Sequence, residues 1–110
     1  MIKIAVVDDE RYIREDIKNR IELTGSGAVV DGFPSGEAFL HAGKQYDIVF
    51  LDIQLGGMDG IDIARELRQK SENVILIFVT GTKEHVFQAF DVAAFHYLLK
   101  PIEPESLRKY

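Results

Sequence analysis

The sequence contains no cysteine. Disulfides and thiolate-held metals are therefore excluded, and a reducing compartment is allowed. No apolar stretch approaches the ~20 residues that a membrane-spanning helix requires. Charge of basic sign is in deficit: 13 Lys and Arg against 18 Asp and Glu leave a net charge of −5, so the basic footprint of a nucleic-acid-binding domain is missing. Arg11, Arg14, Lys18 and Arg20 do gather on one early segment. Glu15, Asp16 and Glu22 interrupt them, which makes a solvated helix face a better reading than a basic docking patch. Internal repeats, linkers and low-complexity tracts are also missing. The start, Met1-Ile2-Lys3-Ile4, runs directly into a strand-like segment and does not resemble a signal peptide. These absences lead to the expectation of a cytoplasmic domain with no membrane association.

The chain is 110 residues long and 46% hydrophobic, enough for one core and too little for two, so residues 1–110 are expected to form a single domain. Apolar runs of four to six residues alternate with amphipathic stretches, the signature of successive βα units. Strands are expected at 2–7, 28–33, 47–51, 74–79 and 95–99. Ile13, Ile17 and Ile21 give the segment 10–23 a buried helical stripe, and Gly25-Ser26-Gly27 ends it. The second strand is polar at Asp31 and suits an edge. Ser35 and Asp59 are expected N-caps for helices that turn Ala38, Phe39 and Leu40, and Ile61, Ile63, Ala64 and Leu67, inward. A less regular helix is expected near 83–90, and Pro104 suits the first turn of a final helix that ends early at Tyr110. The fold class is α/β: a doubly wound, five-stranded parallel sheet in the order 2-1-3-4-5, flavodoxin-like (βα)5 with a truncated last helix. A final helix this short would cover the sheet poorly, so the chain is expected to be cut from a longer protein with a C-terminal output domain.

The ends of the apolar runs carry the chemistry. Ile4 to Val7 stops at Asp8-Asp9, Ile48 to Leu51 stops at Asp52, Val74 to Val79 stops at Thr80, and 95–99 stops at Lys100. Strands of a parallel sheet share one carboxyl edge, where ligands bind, so three carboxylates, a hydroxyl and an ammonium should meet there. Clustered carboxylates repel unless a cation sits among them, and a few hard oxygen ligands with room for water suit Mg²⁺ (or Mn²⁺) better than Ca²⁺. Capping of the first helix would need only one of the two acids. A carboxylate such as Asp52 can attack phosphorus and form an acyl phosphate, while Thr80 and Lys100 can hold the phosphoryl oxygens, with Gly81 leaving space beside Thr80.

These motifs resemble the response-regulator receiver domain of bacterial two-component systems: Val-Val-Asp8-Asp9-Glu, Phe-Leu-Asp52-Ile-Gln-Leu, Met-Asp-Gly60, Val-Thr80-Gly and Tyr97-Leu-Leu-Lys100-Pro101. The resemblance implies that Asp52 is the phosphoacceptor, fed by a sensor histidine kinase or by acetyl phosphate, and that it later loses the group by self-hydrolysis. It implies metal binding by Asp8, Asp9, Asp52 and the backbone carbonyl of Gln54, phosphoryl contacts from Thr80 and Lys100, and a switch formed by Thr80 and Tyr97. Gln54 and Thr82 would tune the phosphate's lifetime. Gly56 stands where the family often has proline. The stretch from Thr80 through Ala89-Phe90-Asp91-Val92 to Ile102 is similar to receivers joined to LytTR-type DNA-binding domains. That similarity implies a transcription regulator that meets DNA only through an output domain outside this chain, with a phosphorylation-dependent homodimer as a further expectation.

Other readings compete. A phosphohydrolase of the haloacid-dehalogenase type needs an acid two residues after its nucleophile, and that position is Gln54. A flavodoxin-like electron carrier needs a phosphate loop that Asp8 and Asp9 would repel. A receiver that docks partners without chemistry would have no need of all five residues. His41, His85 and His96 have no ligand-like spacing and read as surface or interface residues, and Phe87, Phe90 and Phe95 read as core or docking surface.

Overall fold

The computed structural model describes residues 2–55, 59–71, 73–81, 86–94 and 96–100, with only the backbone of Val86, Phe87 and Phe90. Nine elements alternate along it: β1 Lys3–Val7, α1 Arg11–Leu23, β2 Val29–Phe33, α2 Gly36–Ala42, β3 Ile48–Leu51, α3 Gly60–Lys70, β4 Ile75–Thr80, α4 Val86–Asp91 and β5 His96–Leu99. The five strands form one sheet in the order β2-β1-β3-β4-β5, with every pairing parallel. Fold class and strand order are those expected from the sequence. Gly56, Gly57, Met58, Thr82, Lys83, His85, Phe95, Pro101 and the expected helix from Pro104 lie outside the described residues, as do the side chains of Phe87 and Phe90.

Alternation along the strands builds two cores, because successive side chains point to opposite faces. One face gathers Ala5, Val7, Val49, Leu51, Leu76 and Phe78 with Phe39 of α2 and Ile61, Ile63 and Ala64 of α3. The other gathers Ile4, Val6, Phe50, Ile77, Val79 and Leu98 beneath Ile13, Ile17 and Ile21 of α1. The central strands are apolar throughout because both of their faces are covered. β2 lies at the edge, and its Asp31 accepts a hydrogen bond from the Tyr46 hydroxyl at 2.7 Å.

The helix starts follow their capping residues. Ser35 Oγ accepts from Ala38 N at 3.1 Å, and Asp59 Oδ1 accepts from Ile61 N at 2.7 Å, each satisfying an otherwise unpaired amide of a first turn. Glu10 occupies the N-cap of α1 without a side-chain cap. Its amide instead donates to Asp8 Oδ1 at 2.9 Å. β4 extends one residue beyond the expected boundary, so Thr80 closes the strand instead of following it.

Candidate functional site

Backbone ladders continue past the strand ends and fix the functional residues at one edge. Asp8 N donates to Phe33 O at 3.1 Å, Asp52 N to Val7 O at 3.0 Å, and Lys100 N to Thr80 O at 2.9 Å. Val7 pairs with Leu51, and Thr80 with Leu99. Register therefore delivers Asp8, Asp52, Thr80 and Lys100, separated by up to 92 positions, to neighbouring tips.

Three of these polar groups are nearly sealed: Asp8 is 2% exposed, Asp52 4% and Thr80 0%. The Lys100 ammonium sits between the two carboxylates, 2.9 Å from Asp8 Oδ2 and 3.1 Å from Asp52 Oδ2, and also reaches Glu10 Oε1 at 3.2 Å. Asp52 Oδ1 accepts from Gln54 N at 3.1 Å. Burial raises the Asp8 pKa above the ordinary 3.8; the Glu10 amide and the Lys100 ammonium oppose the rise, and the charge of Asp52 adds to it. For Lys100, burial disfavours the ammonium, but the hydrogen bonds and charges of Asp8 and Asp52 outweigh it. The pKa stands above the usual 10.5 and the side chain is a fixed cation.

Two buried atoms lack a hydrogen-bond partner among the described residues, Asp8 Oδ2 and Thr80 Oγ1. Orphaned buried polar atoms are costly, and in a native fold they call for an explanation. Asp8 Oδ2 has at least the ion pair with Lys100. Thr80 Oγ1 has none of this compensation, which is what a group awaiting a ligand oxygen would show.

The acidic residues divide into two overlapping sets. Ligand atoms of Asp8, Asp9 and Glu10 lie within 4.8 Å of one another. Asp52 joins Asp8 through the shared ammonium instead. Asp9 and Glu10 are exposed while Asp8 is buried, an open-sided set of hard oxygens that fits a hydrated divalent cation. Glu10 is the member sequence reasoning passed over as a helix start. Three consecutive acids at a strand tip were the signal available. Gln54 is exposed directly beyond Asp52.

Tyr97 lies on β5 opposite Phe78 of β4, with ring centroids 6.2 Å apart, and is half-buried. His96, at the start of the same strand, is exposed, and so is His41 on α2. A cleft of about 180 Å³, lined by Phe39, Tyr46, Val49, Leu67 and Val74, opens at the opposite end of the sheet from this cluster.

The family model for the response regulator receiver domain matches residues 4–110. LytT of Bacillus cereus, a sensory transduction protein, is 36% identical over 116 residues that cover 100% of this chain and 47% of LytT. The chain spans about half the length of the curated relatives it matches. The response regulator TrrA of Thermotoga maritima, solved in complex with Mg²⁺-BeF, superposes with a TM-score of 0.84 at 33% identity, covering 99% of this chain and 95% of that one. The response regulatory domain of MrkE from Klebsiella pneumoniae gives a TM-score of 0.89 at 30% identity over 98% of this chain and 90% of that one.

Proposed function

This chain belongs to the response-regulator receiver family of two-component signalling, and from that premise we propose that Asp52 accepts a phosphoryl group and that the fold converts the added charge into a signal. The observation that carries the reading is the trio of Asp52, Lys100 and Thr80: a buried carboxylate, a half-buried, fixed ammonium 3.1 Å from it, and a buried hydroxyl with no hydrogen-bond partner among the described residues.

Asp52 Oδ2 is the attacking atom. A new oxygen–phosphorus bond forms there as the bond from phosphorus to the donor's leaving atom breaks, the acyl oxygen of acetyl phosphate or the imidazole nitrogen of a phosphohistidine, leaving an acyl phosphate on Asp52 and free acetate or free histidine on the donor side. Lys100 leaves its ion pair with the Asp52 carboxylate for the phosphoryl oxygens, to which Thr80 Oγ1 also donates. This is the electrostatic support that a phosphoryl-transfer transition state needs. Asp8, Asp9, Asp52 and the Gln54 carbonyl would hold a magnesium ion, with Glu10 at the rim. Bound there, it would supply positive charge that offsets the negative charge developing during the transfer. The Mg²⁺-BeF complex of TrrA supports the same chemistry here.

Drawing Thr80 toward the phosphoryl group changes the packing beside β5, where Tyr97 is half-buried against Phe78. Tyr97 then turns inward, and the surface formed by α4 and β5 takes a second shape. A partner that binds one shape better reads the state. The donor in the cell is a sensor histidine kinase. The LytT relatives support a LytTR-type DNA-binding output beyond residue 110, and a homodimer of the phosphorylated form would bring two such outputs together.

The test is intact-protein mass after incubation with acetyl phosphate and Mg²⁺, wild type beside Asp52→Ala. A gain of one phosphoryl group that hydroxylamine removes, and that is lost without Mg²⁺ or in the variant, is the expected result. An Asp52→Ala protein that gains the same mass would overturn the assignment.

A further inference from the structure

Arg68 of α3 is far from the acidic edge, yet its guanidinium donates to three backbone carbonyls. Nη1 reaches Val74 O at 2.6 Å, Nε reaches Val92 O at 2.7 Å and Nη2 reaches Ala93 O at 2.9 Å. Val74 immediately precedes β4, and Val92 and Ala93 lie in the turn that leads into β5. One side chain thus holds the starts of two strands, and these are the strands whose far ends present Thr80 and Lys100.

The turn needs holding. Ala93 sits at φ 54, the left-handed region where a Cβ crowds the following carbonyl at a cost of about 1 kcal/mol. Ala94 N closes the end of α4 on Ala89 O at 3.1 Å, the wrap-around helix ending that usually places glycine at this position. β5 is a four-residue edge strand that, among the described residues, pairs only with β4, so its own ladder resists sliding or fraying weakly. Hydrogen bonds from a charged donor are the stronger kind, and three divergent carbonyls match the planar fork of arginine but not the point charge of lysine.

We propose that Arg68 is a positioning residue that fixes the alignment of β5 on β4 from the opposite end of the sheet and so sets the spacing of the Thr80 hydroxyl and the Lys100 ammonium. Its geometric part stands alone; its consequence for chemistry rests on the phosphoryl-accepting reading above. β4 is six residues long, roughly 20 Å at the rise of an extended strand. A shift at the start of either strand is carried along that stiff backbone to the site.

The experiment compares the wild-type chain with R68K, R68M and R68M/A93G by two readouts. The first is amide hydrogen exchange at Lys100, whose N–H bonds Thr80 O, against Asp52, whose N–H bonds Val7 O. The second is the rate of phosphorylation at saturating acetyl phosphate with Mg²⁺. Expected in R68M is an exchange rate at Lys100 that rises about ten-fold more than at Asp52, with phosphorylation slowed about ten-fold, the loss of roughly one charge-assisted bond's worth of order. R68K should follow R68M, and A93G should recover part of both losses, because glycine relieves the turn that the guanidinium restrains. Exchange that rises equally at both amides would overturn the proposal and mark Arg68 as a general stabiliser. Selective exchange with an unchanged phosphorylation rate would overturn its link to the site. If the wild type takes up no phosphoryl group, the phosphoacceptor reading fails, and the exchange comparison alone decides the alignment. Should R68M fail to fold, R68K carries the same comparison.

Discussion

Gly60 lies directly behind Asp52. The first residue of α3 packs so close to the end of β3 that a Cβ on Gly60 would overlap the Asp52 carbonyl oxygen and come within 2.6 Å of Ile53 Cα. Its own amide donates to Ile53 O at 2.9 Å. The obstacles are backbone atoms, which cannot rotate away, so glycine is required here for space and not for a special φ. Gly60→Ala is expected to cost about 1–3 kcal/mol of stability, as overpacking does, and to slow phosphorylation by displacing Asp52. Urea denaturation beside the mass assay checks both effects.

Thr80→Val should stabilise the resting protein. The Thr80 hydroxyl is fully buried with no hydrogen-bond partner among the described residues, and an unsatisfied buried polar group costs about 1–3 kcal/mol. Valine preserves the shape without that cost. A higher urea midpoint for the variant, together with a slower gain of phosphoryl mass, is the expected pair of results.

Removing the ammonium should destabilise the protein in a way that a divalent cation partly repairs. Lys100→Met leaves the buried carboxylates of Asp8 and Asp52 facing each other without the charge now 2.9 and 3.1 Å away. Stranding buried charge costs about 3 kcal/mol or more. Thermal unfolding in EDTA should show the full loss, and added Mg²⁺ should raise Tm more in the variant than in wild type, since a ligand that binds only the folded state stabilises it by mass action.

Tyr46 provides a pH test away from the site. Burial and its hydrogen bond to Asp31 raise its pKa above the ordinary 10.0. A raised folded-state pKa means that Tyr46's stabilising contribution is complete below pH 10.0 and fades as pH climbs through the folded value. Absorbance at 295 nm should show a late-titrating tyrosine in wild type that is missing in Tyr46→Phe. The stability difference between the two proteins should be flat below pH 10 and shrink above it.

The sequence by itself determined the fold class, the strand order and the edge where the polar strand-end residues gather. Periodicity and apolar run length are local properties, and the handedness of βα crossovers leaves few ways to assemble them. Ile13, Ile17 and Ile21 announced their buried face, and Ser35 and Asp59 announced their caps, because each depends only on neighbours within one turn. Tertiary structure alone decided which atoms touch across the edge. Lys100 bridging Asp8, Asp52 and Glu10 depends on the register of four strands and the reach of one flexible side chain. So does the sealing of Thr80 without a hydrogen-bond partner among the described residues. The contact of Gly60 with Asp52 and the grip of Arg68 on Val74, Val92 and Ala93 join residues up to 25 positions apart, and no pattern within a helical turn encodes them. They exist because packing brings two backbones to the same place and leaves only one side chain that fits.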